Sequence, residues 1–276
     1  MKPLLNILLL ASLSVVSSNA FDLNSFLKKG TTLLESSNNP DSTASLSALS
    51  SHEVSQGLKE ALRKGIEASI AQLGATDGFY GDQLVKILMP QSMQNAADLV
   101  KKAGGARYVD DFVLAMNRAA EESVSTIAPL FANALSIISV EDAKGILAGG
   151  DNAATTYFKD TTGADIVAAV EPIIQANMEK NSVYTHYTNV KEYYDNLSQS
   201  ALATSVKNSN LMAIASSVSG VTLGDGALLS KKELDAYMST KTSEGLFTII
   251  AKEEEKIRNS ISARSTPLLK KVFGAL

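Results

Sequence analysis

Asn117, Arg118, Glu121 and Glu122 fall within six residues of a segment with helical periodicity. One helical turn therefore lets Arg118 pair with either carboxylate and Asn117 hydrogen-bond Glu121. The adjacent Ala119 and Ala120 admit a neighbouring helix closely, which takes these polar groups partly out of water. Glu253 is placed similarly, with Leu246, Ile249, Ile250 and Ile257 one or two turns away, and a carboxylate beside an apolar stripe wants a partner such as an arginine. Glu121 and Glu253 are thus the carboxylates to consider as acid and base in hydrolysis of a polymer. The competing reading is a buried ion-pair network that serves architecture alone. Arg118 and Glu253 are expected in partly buried networks, with Asn117, Arg118, Glu121 and Glu253 as the binding candidates.

Other chemistry fails on spacing. His52-Glu53 opens like a zinc-protease helix, but Gln56 stands where the second imidazole belongs. Ser25-Phe26-Leu27-Lys28 has the Ser-x-x-Lys spacing of penicillin-binding enzymes, and Lys241-Thr242-Ser243 loosely resembles their third motif. Ser25 precedes a Ser-rich linker that gives nothing to fix Lys28 as a base. Asp77-Gly78-Phe79-Tyr80-Gly81-Asp82 lacks the regular acidic alternation and closing Glu of a calcium loop, so a turn is the better reading. No nucleophile elbow, phosphate-cradling loop or dinucleotide fingerprint occurs, and no cofactor is expected.

The elements that must hold these residues read as helices. Ser50 with Glu53 makes a capping box, and Val54, Leu58, Leu62, Ile66 and Ile70 recur at helical spacing up to Leu73-Gly74. Thr76 to Asp82 is a loop, Leu84 to Met89 a short apolar run that reads as a strand, and Pro90 opens a helix that Gly104-Gly105 ends. A long helix follows from about Tyr108, kinked or split at Pro129. Ser139 and Asp151 read as N-caps, and Gly163 to Lys180 as a helix interrupted by Pro172. The tyrosines at 184, 187, 193 and 194 read as packing. Gly224-Asp225-Gly226 reads as a hairpin turn, so Val221 to Leu229 is the second place for a strand. Ser230 with Glu233 caps a further helix, which Gly245 interrupts, and Pro267 to Leu276 forms an amphipathic terminal helix expected to dock on the chain's own core. The fold class is all-α or nearly so: a compact multi-helix single domain with at most a small two-stranded element.

Composition bounds the setting. Lys2, the apolar run Leu4 to Val16 and Ser18-Asn19-Ala20 have the order of a secretory signal, too short to cross a bilayer. The expected division is 1–20 signal peptide, 21–49 short helix and flexible linker, and 50–276 helical domain. With no cysteine the chain has no lipid attachment site, disulfide or thiolate metal ligand. A formal net charge of −4 with no basic block argues against nucleic acid. Ser123 to Val140 carries no charge but too many hydroxyls and amides for a lipid-facing span, so no membrane span is expected after the signal.

Gly57-Leu58-Lys59-Glu60-Ala61-Leu62, Met116-Asn117-Arg118-Ala119-Ala120-Glu121, Asp142-Ala143-Lys144-Gly145-Ile146-Leu147, Ala153-Ala154-Thr155-Thr156-Tyr157-Phe158, Gly245-Leu246-Phe247 and the closing Lys271-Val272-Phe273-Gly274 occur in order. Together they resemble an exported bacterial family, domain-of-unknown-function family 4197, from about Ser50 to the C-terminus. The resemblance implies a Gram-negative exported setting and a single domain, and it implies no activity. Three readings of function remain. The leading one is a soluble, non-catalytic periplasmic protein that binds a protein partner or an apolar small molecule between helices. The second is an envelope-polymer hydrolase and the third a structural or stress-related protein without a ligand. A long apolar groove favours the first; a deep cavity with two facing carboxylates favours the second.

Overall fold

The computed structural model describes residues 48–137, 143–205 and 228–276. Among these residues the regular structure is helical and contains no strand. Helix α1, Ser51–Leu73, starts where local chemistry dictates: the Ser50 hydroxyl accepts the Glu53 N–H, and the Glu53 carboxylate accepts the Ser50 N–H. Its buried stripe is Val54, Leu58, Leu62, Ile66 and Leu73.

Leu84 to Met89 alternates as a half-buried strand does. Val85, Ile87 and Met89 are buried, while Leu84 and Leu88 are exposed. Among the described residues no strand pairs with it, and a side chain takes that role. The Asn117 Oδ1 accepts the Ile87 N–H at 2.9 Å, and its Nδ2 donates to the Ile87 carbonyl at 2.8 Å. The buried backbone is satisfied without a sheet. Most of the other expected strand, 221–227, lies outside the described residues.

Pro90 precedes a 3-10 turn, Gln91–Met93, and then α2, Gln94–Val100. A π-turn over Lys101–Gly105 follows, in which Gly104 takes φ 93°, a left-handed conformation open to glycine at little cost. Helix α3, Ala106–Ile137, passes through Pro129 without splitting. Pro129 has no N–H for the Ser125 carbonyl, and both residues are exposed, so water reaches the unpaired group.

Ser139 lies outside the described residues. Helix α4, Ala143–Leu147, leads to α5, Ala153–Lys180, which begins ten residues before Gly163 and runs unbroken through Pro172. Asp151 does not cap it. The cap position is Asn152, without a side-chain bond, and Asp151 accepts from Asn259 instead. Helix α6, Val183–Ser205, carries the tyrosines. Helix α7, Lys231–Asn259, starts on the Ser230–Glu233 capping box and is not interrupted at Gly245. A Cβ there would lie 2.5 Å from the Phe79 ring, so this glycine lets the 77–80 turn pack against the helix. Helix α8, Pro267–Phe273, is capped by the Thr266 hydroxyl.

Helices α1, α3, α5 and α7 close a four-membered ring, each packed on two neighbours with little contact across the diagonals. Phe131, Phe158 and Phe247, from α3, α5 and α7, meet at its centre with ring centroids 5.1 to 6.3 Å apart. Helix α6 leans on α2 and α3, and α8 lies on α1 with Leu269, Val272 and Phe273 buried. No described helix is long and apolar enough to cross a membrane.

Candidate functional site

Of the residues singled out on α3, Arg118 and Glu121 meet around a turn, while Asn117 bonds Ile87 and Val113 in place of Glu121. Glu121 is 4% exposed. Its Oε1 accepts the N–H groups of Phe79 and Tyr80, both at 3.0 Å, and its Oε2 takes the Arg118 guanidinium at 2.6 Å. Arg118, 30% exposed, also reaches Asp77 at 2.7 Å. Asp77 itself has φ 64°, a conformation Asp tolerates in turns. These bonds hold residues 77–80 against α3. Glu122 points away to an exposed pair with Lys180. Asp82 bonds Gln72 and the Leu84 N–H, which leaves the 77–82 turn as a turn.

Glu253 is partly buried, its side chain 22% exposed, but it pairs with Lys256, itself 65% exposed, and not with an arginine. The buried carboxylate is its neighbour. Glu254 is fully buried and pairs at 2.8 Å with Arg258, also buried. Its oxygens accept the N–H groups of Ala154 and Thr155 and the Thr155 hydroxyl, while Arg258 donates to the carbonyls of Leu147 and Ile146. One ion pair on α7 thereby caps the start of α5 and the end of α4, placing each charge on the favoured end of a helix dipole. The stripe that suggested Glu253 counted Leu and Ile only. Ser243, Phe247 and Arg258 are buried as well and turn the buried face one residue toward Glu254. Glu121 and Glu253 share no hydrogen-bond partner among the described residues.

A third cluster had no clear mark in the sequence. Asp235, 3% exposed, accepts from Tyr184 at 2.5 Å, Gln175 at 3.0 Å and Lys231 at 3.4 Å. Burial first, and then the Asp235 carboxylate, push the Tyr184 hydroxyl up to about 12. The tyrosines otherwise pack as expected: Tyr187 lies against Phe112 and Tyr194 is buried. His52 contacts Gln56 on the exposed face of α1. Lys241 pairs with Glu244, and the buried hydroxyls of Thr242 and Ser243 have no hydrogen-bond partner among the described residues, so nothing there activates a nucleophile. No described group of His, Asp and Glu is arranged to hold a metal.

An open groove lies elsewhere, between α1 and the last third of α3. It is a groove of about 690 Å³ with Ile66 and Leu135 as its floor and Ile70, Ala128, Pro129, Ala132 and Leu268 as its walls. Small residues keep it open: the α3 side reads Ser125, Ala128, Pro129, Ala132 and Ser136, at three- and four-residue steps on one face. The α1 rim carries Lys59, Glu60, Arg63 and Glu67. Arg63 holds Glu60 in a two-point pair at 2.8 Å and also reaches Glu67, which Lys64 shares. The Arg63 guanidinium keeps the Glu60 carboxyl below its ordinary range. Among the described residues Lys59 has one long contact, to the Ser136 carbonyl at 3.4 Å.

One family model, described as "Protein of unknown function (DUF4197)", matches residues 48–274. No curated protein and no solved structure matches the chain.

Proposed function

The chain belongs to the family described as protein of unknown function DUF4197, and we infer that within it this protein is a non-catalytic binding protein that takes an apolar small molecule in the α1–α3 groove. The observation that carries this is the groove itself: an apolar floor of ligand-pocket volume, open to solvent between two helices. The hydrolase reading, built on Glu121 and Glu253, has less support: Glu121 is committed to two backbone amides and an arginine, and Glu253 pairs with Lys256. In the groove, Glu60 and Glu67 stand on one helix with Arg63 between them, and Glu60, held ionised, is a poor general acid. Export to the periplasm as a soluble protein belongs to the same proposal, supported by the order of charge, apolar run and small residues in 1–20. A periplasmic extract should yield the chain with Phe21 at its N-terminus.

The groove is tested with N-phenyl-1-naphthylamine, an uncharged fluorophore that brightens in apolar surroundings. Saturable binding at one site is expected, lost in Ala132→Phe, whose new ring fills the groove from an exposed position. Absence of saturable binding, or equal binding by the variant, overturns the proposal.

A further inference from the structure

We propose that the groove's ligand is a single acyl chain ending in a carboxylate, with the acyl part on the Ile66–Leu135 floor and the carboxylate at Lys59. This rests on the binding reading above and adds the ligand's shape and charge.

The shape follows from the length of the groove. From Gln56 to Ile70 the α1 wall runs about 21 Å at a rise of about 1.5 Å per residue. About 690 Å³ spread along that wall makes the groove longer than it is wide. One hydrocarbon chain fits lengthwise on its floor. Length and narrowness together favour a chain over a fused-ring compound.

The charge follows from the rim. Glu60, Arg63, Lys64 and Glu67 form a closed ladder of two acids and two bases along α1. Lys59, one turn before Arg63, takes no part in that ladder. No carboxylate lies within salt-bridge distance of it among the described residues, and its ammonium, with three donors, makes one contact at 3.4 Å. That contact crosses from α1 to α3 at the Ser136 end of the groove. The Ser136 carbonyl fixes where the ammonium sits, and an incoming carboxylate would give its remaining donors a charge-assisted partner. Toward the opposite end, beside Ile70 and Ser125, the charged lining residue is Glu67, already paired with Arg63 and Lys64. The ligand therefore has one anionic end and one apolar end.

The test titrates the full chain with dodecanoate, 1-dodecanol and dodecyltrimethylammonium, all below micelle-forming concentrations, by calorimetry. Dodecanoate is expected to bind at least tenfold tighter than dodecanol, with the cation weakest. Lys59→Met keeps the aliphatic stem and should bring dodecanoate within about threefold of dodecanol without changing the alcohol, while Lys59→Arg retains the preference. Ala132→Phe should weaken both. Equal binding of acid and alcohol, or a preference that survives Lys59→Met, overturns the carboxylate assignment and leaves the groove reading standing if the naphthylamine still binds. Failure of all three chains to bind while the naphthylamine binds overturns the acyl-chain shape. Co-sedimentation with phosphatidylglycerol vesicles that is lost in Lys59→Met would also overturn the proposal, by assigning Lys59 to a membrane surface instead of a free acid.

Discussion

At the scale of single residues, Glu254 is fully buried while Glu253 is 22% exposed, although both lie within four residues of Ile250 and Ile257. Removing one partner from a buried ion pair strands the other and costs roughly 3 to 5 kcal/mol, whereas an exposed pair is worth about 1 kcal/mol or less. Denaturant unfolding should therefore show Glu254→Ala destabilised by about 3 kcal/mol or more and Glu253→Ala by less than about 1 kcal/mol. The double variant Glu254→Ala/Arg258→Ala should lose less than the sum of its single variants, since neither charge is then left alone. Equal losses at 253 and 254 would return the buried role to the position the apolar stripe suggests. The Arg118–Glu121 pair was legible in the sequence because both partners stand on one turn. The partners of Glu254 were only half legible: Arg258 is four residues away, but Ala154 and Thr155 are 100 and 99 residues distant. A local spacing rule sees the first and is blind to the second.

The same division holds for elements. Ser50 and Ser230 cap α1 and α7 through Glu53 and Glu233 three residues on, and both helix starts could be read directly. Helix α5 is capped from α7, and the end of α7 by Arg264, which donates to the carbonyls of Ile257 and Arg258 from beyond the helix. Where a cap comes from a distant element, the sequence shows a vacancy, which is how Asp151 came to stand in for Glu254. The extended run at 84–89 has the same cause, because its alternation is local and its pairing group, Asn117, is 30 residues away. Replacing Asn117 by Leu leaves the buried N–H and carbonyl of Ile87 unpaired, at about 1 to 3 kcal/mol each. A loss above about 2 kcal/mol with faster proteolysis near residues 84–89 is expected, and a loss below about 0.5 kcal/mol would mean that water serves the segment equally well. Helix α8 places Leu269, Val272 and Phe273 against the core and Lys271 on Glu53. Deleting Pro267–Leu276 should lower the thermal midpoint by at least several degrees, given that about 1 kcal/mol moves it by roughly 2 to 4 °C in a domain of this size.

For the whole molecule, titratable groups bracket the pH range of stability, and the signs can be worked out separately. Lys271, then the Ser50 backbone and hydroxyl, hold the Glu53 carboxyl down to about 2, and Glu60, Glu122 and Glu233 are lowered by Arg63, Lys180 and Ser230. A depressed carboxyl contributes stability that is complete above its unfolded value near 4.5 and is lost as pH falls toward the folded one. Exposure and solvent screening keep each contribution small, so the acid limb should be gradual. On the alkaline side the sign reverses. The Tyr184 hydroxyl titrates near 10 in the unfolded chain and near 12 in the folded one, so its contribution is complete below 10 and declines from 10 to 12 as the unfolded state alone ionises. Burial raises Tyr187 and Tyr237 in the same direction, and they steepen that limb. Urea midpoints measured from pH 2 to 12 should form a plateau between about 5 and 10 with a fall on either side. Glu53→Gln should flatten the first fall and leave the second. Tyr184→Phe removes the ionising hydroxyl and should flatten the second, at the cost of one donor to Asp235. An alkaline limb unchanged in Tyr184→Phe would mean that Asp235 and its burial do not hold this phenol neutral, and that the bond between α6 and α7 is weaker than its 2.5 Å length implies.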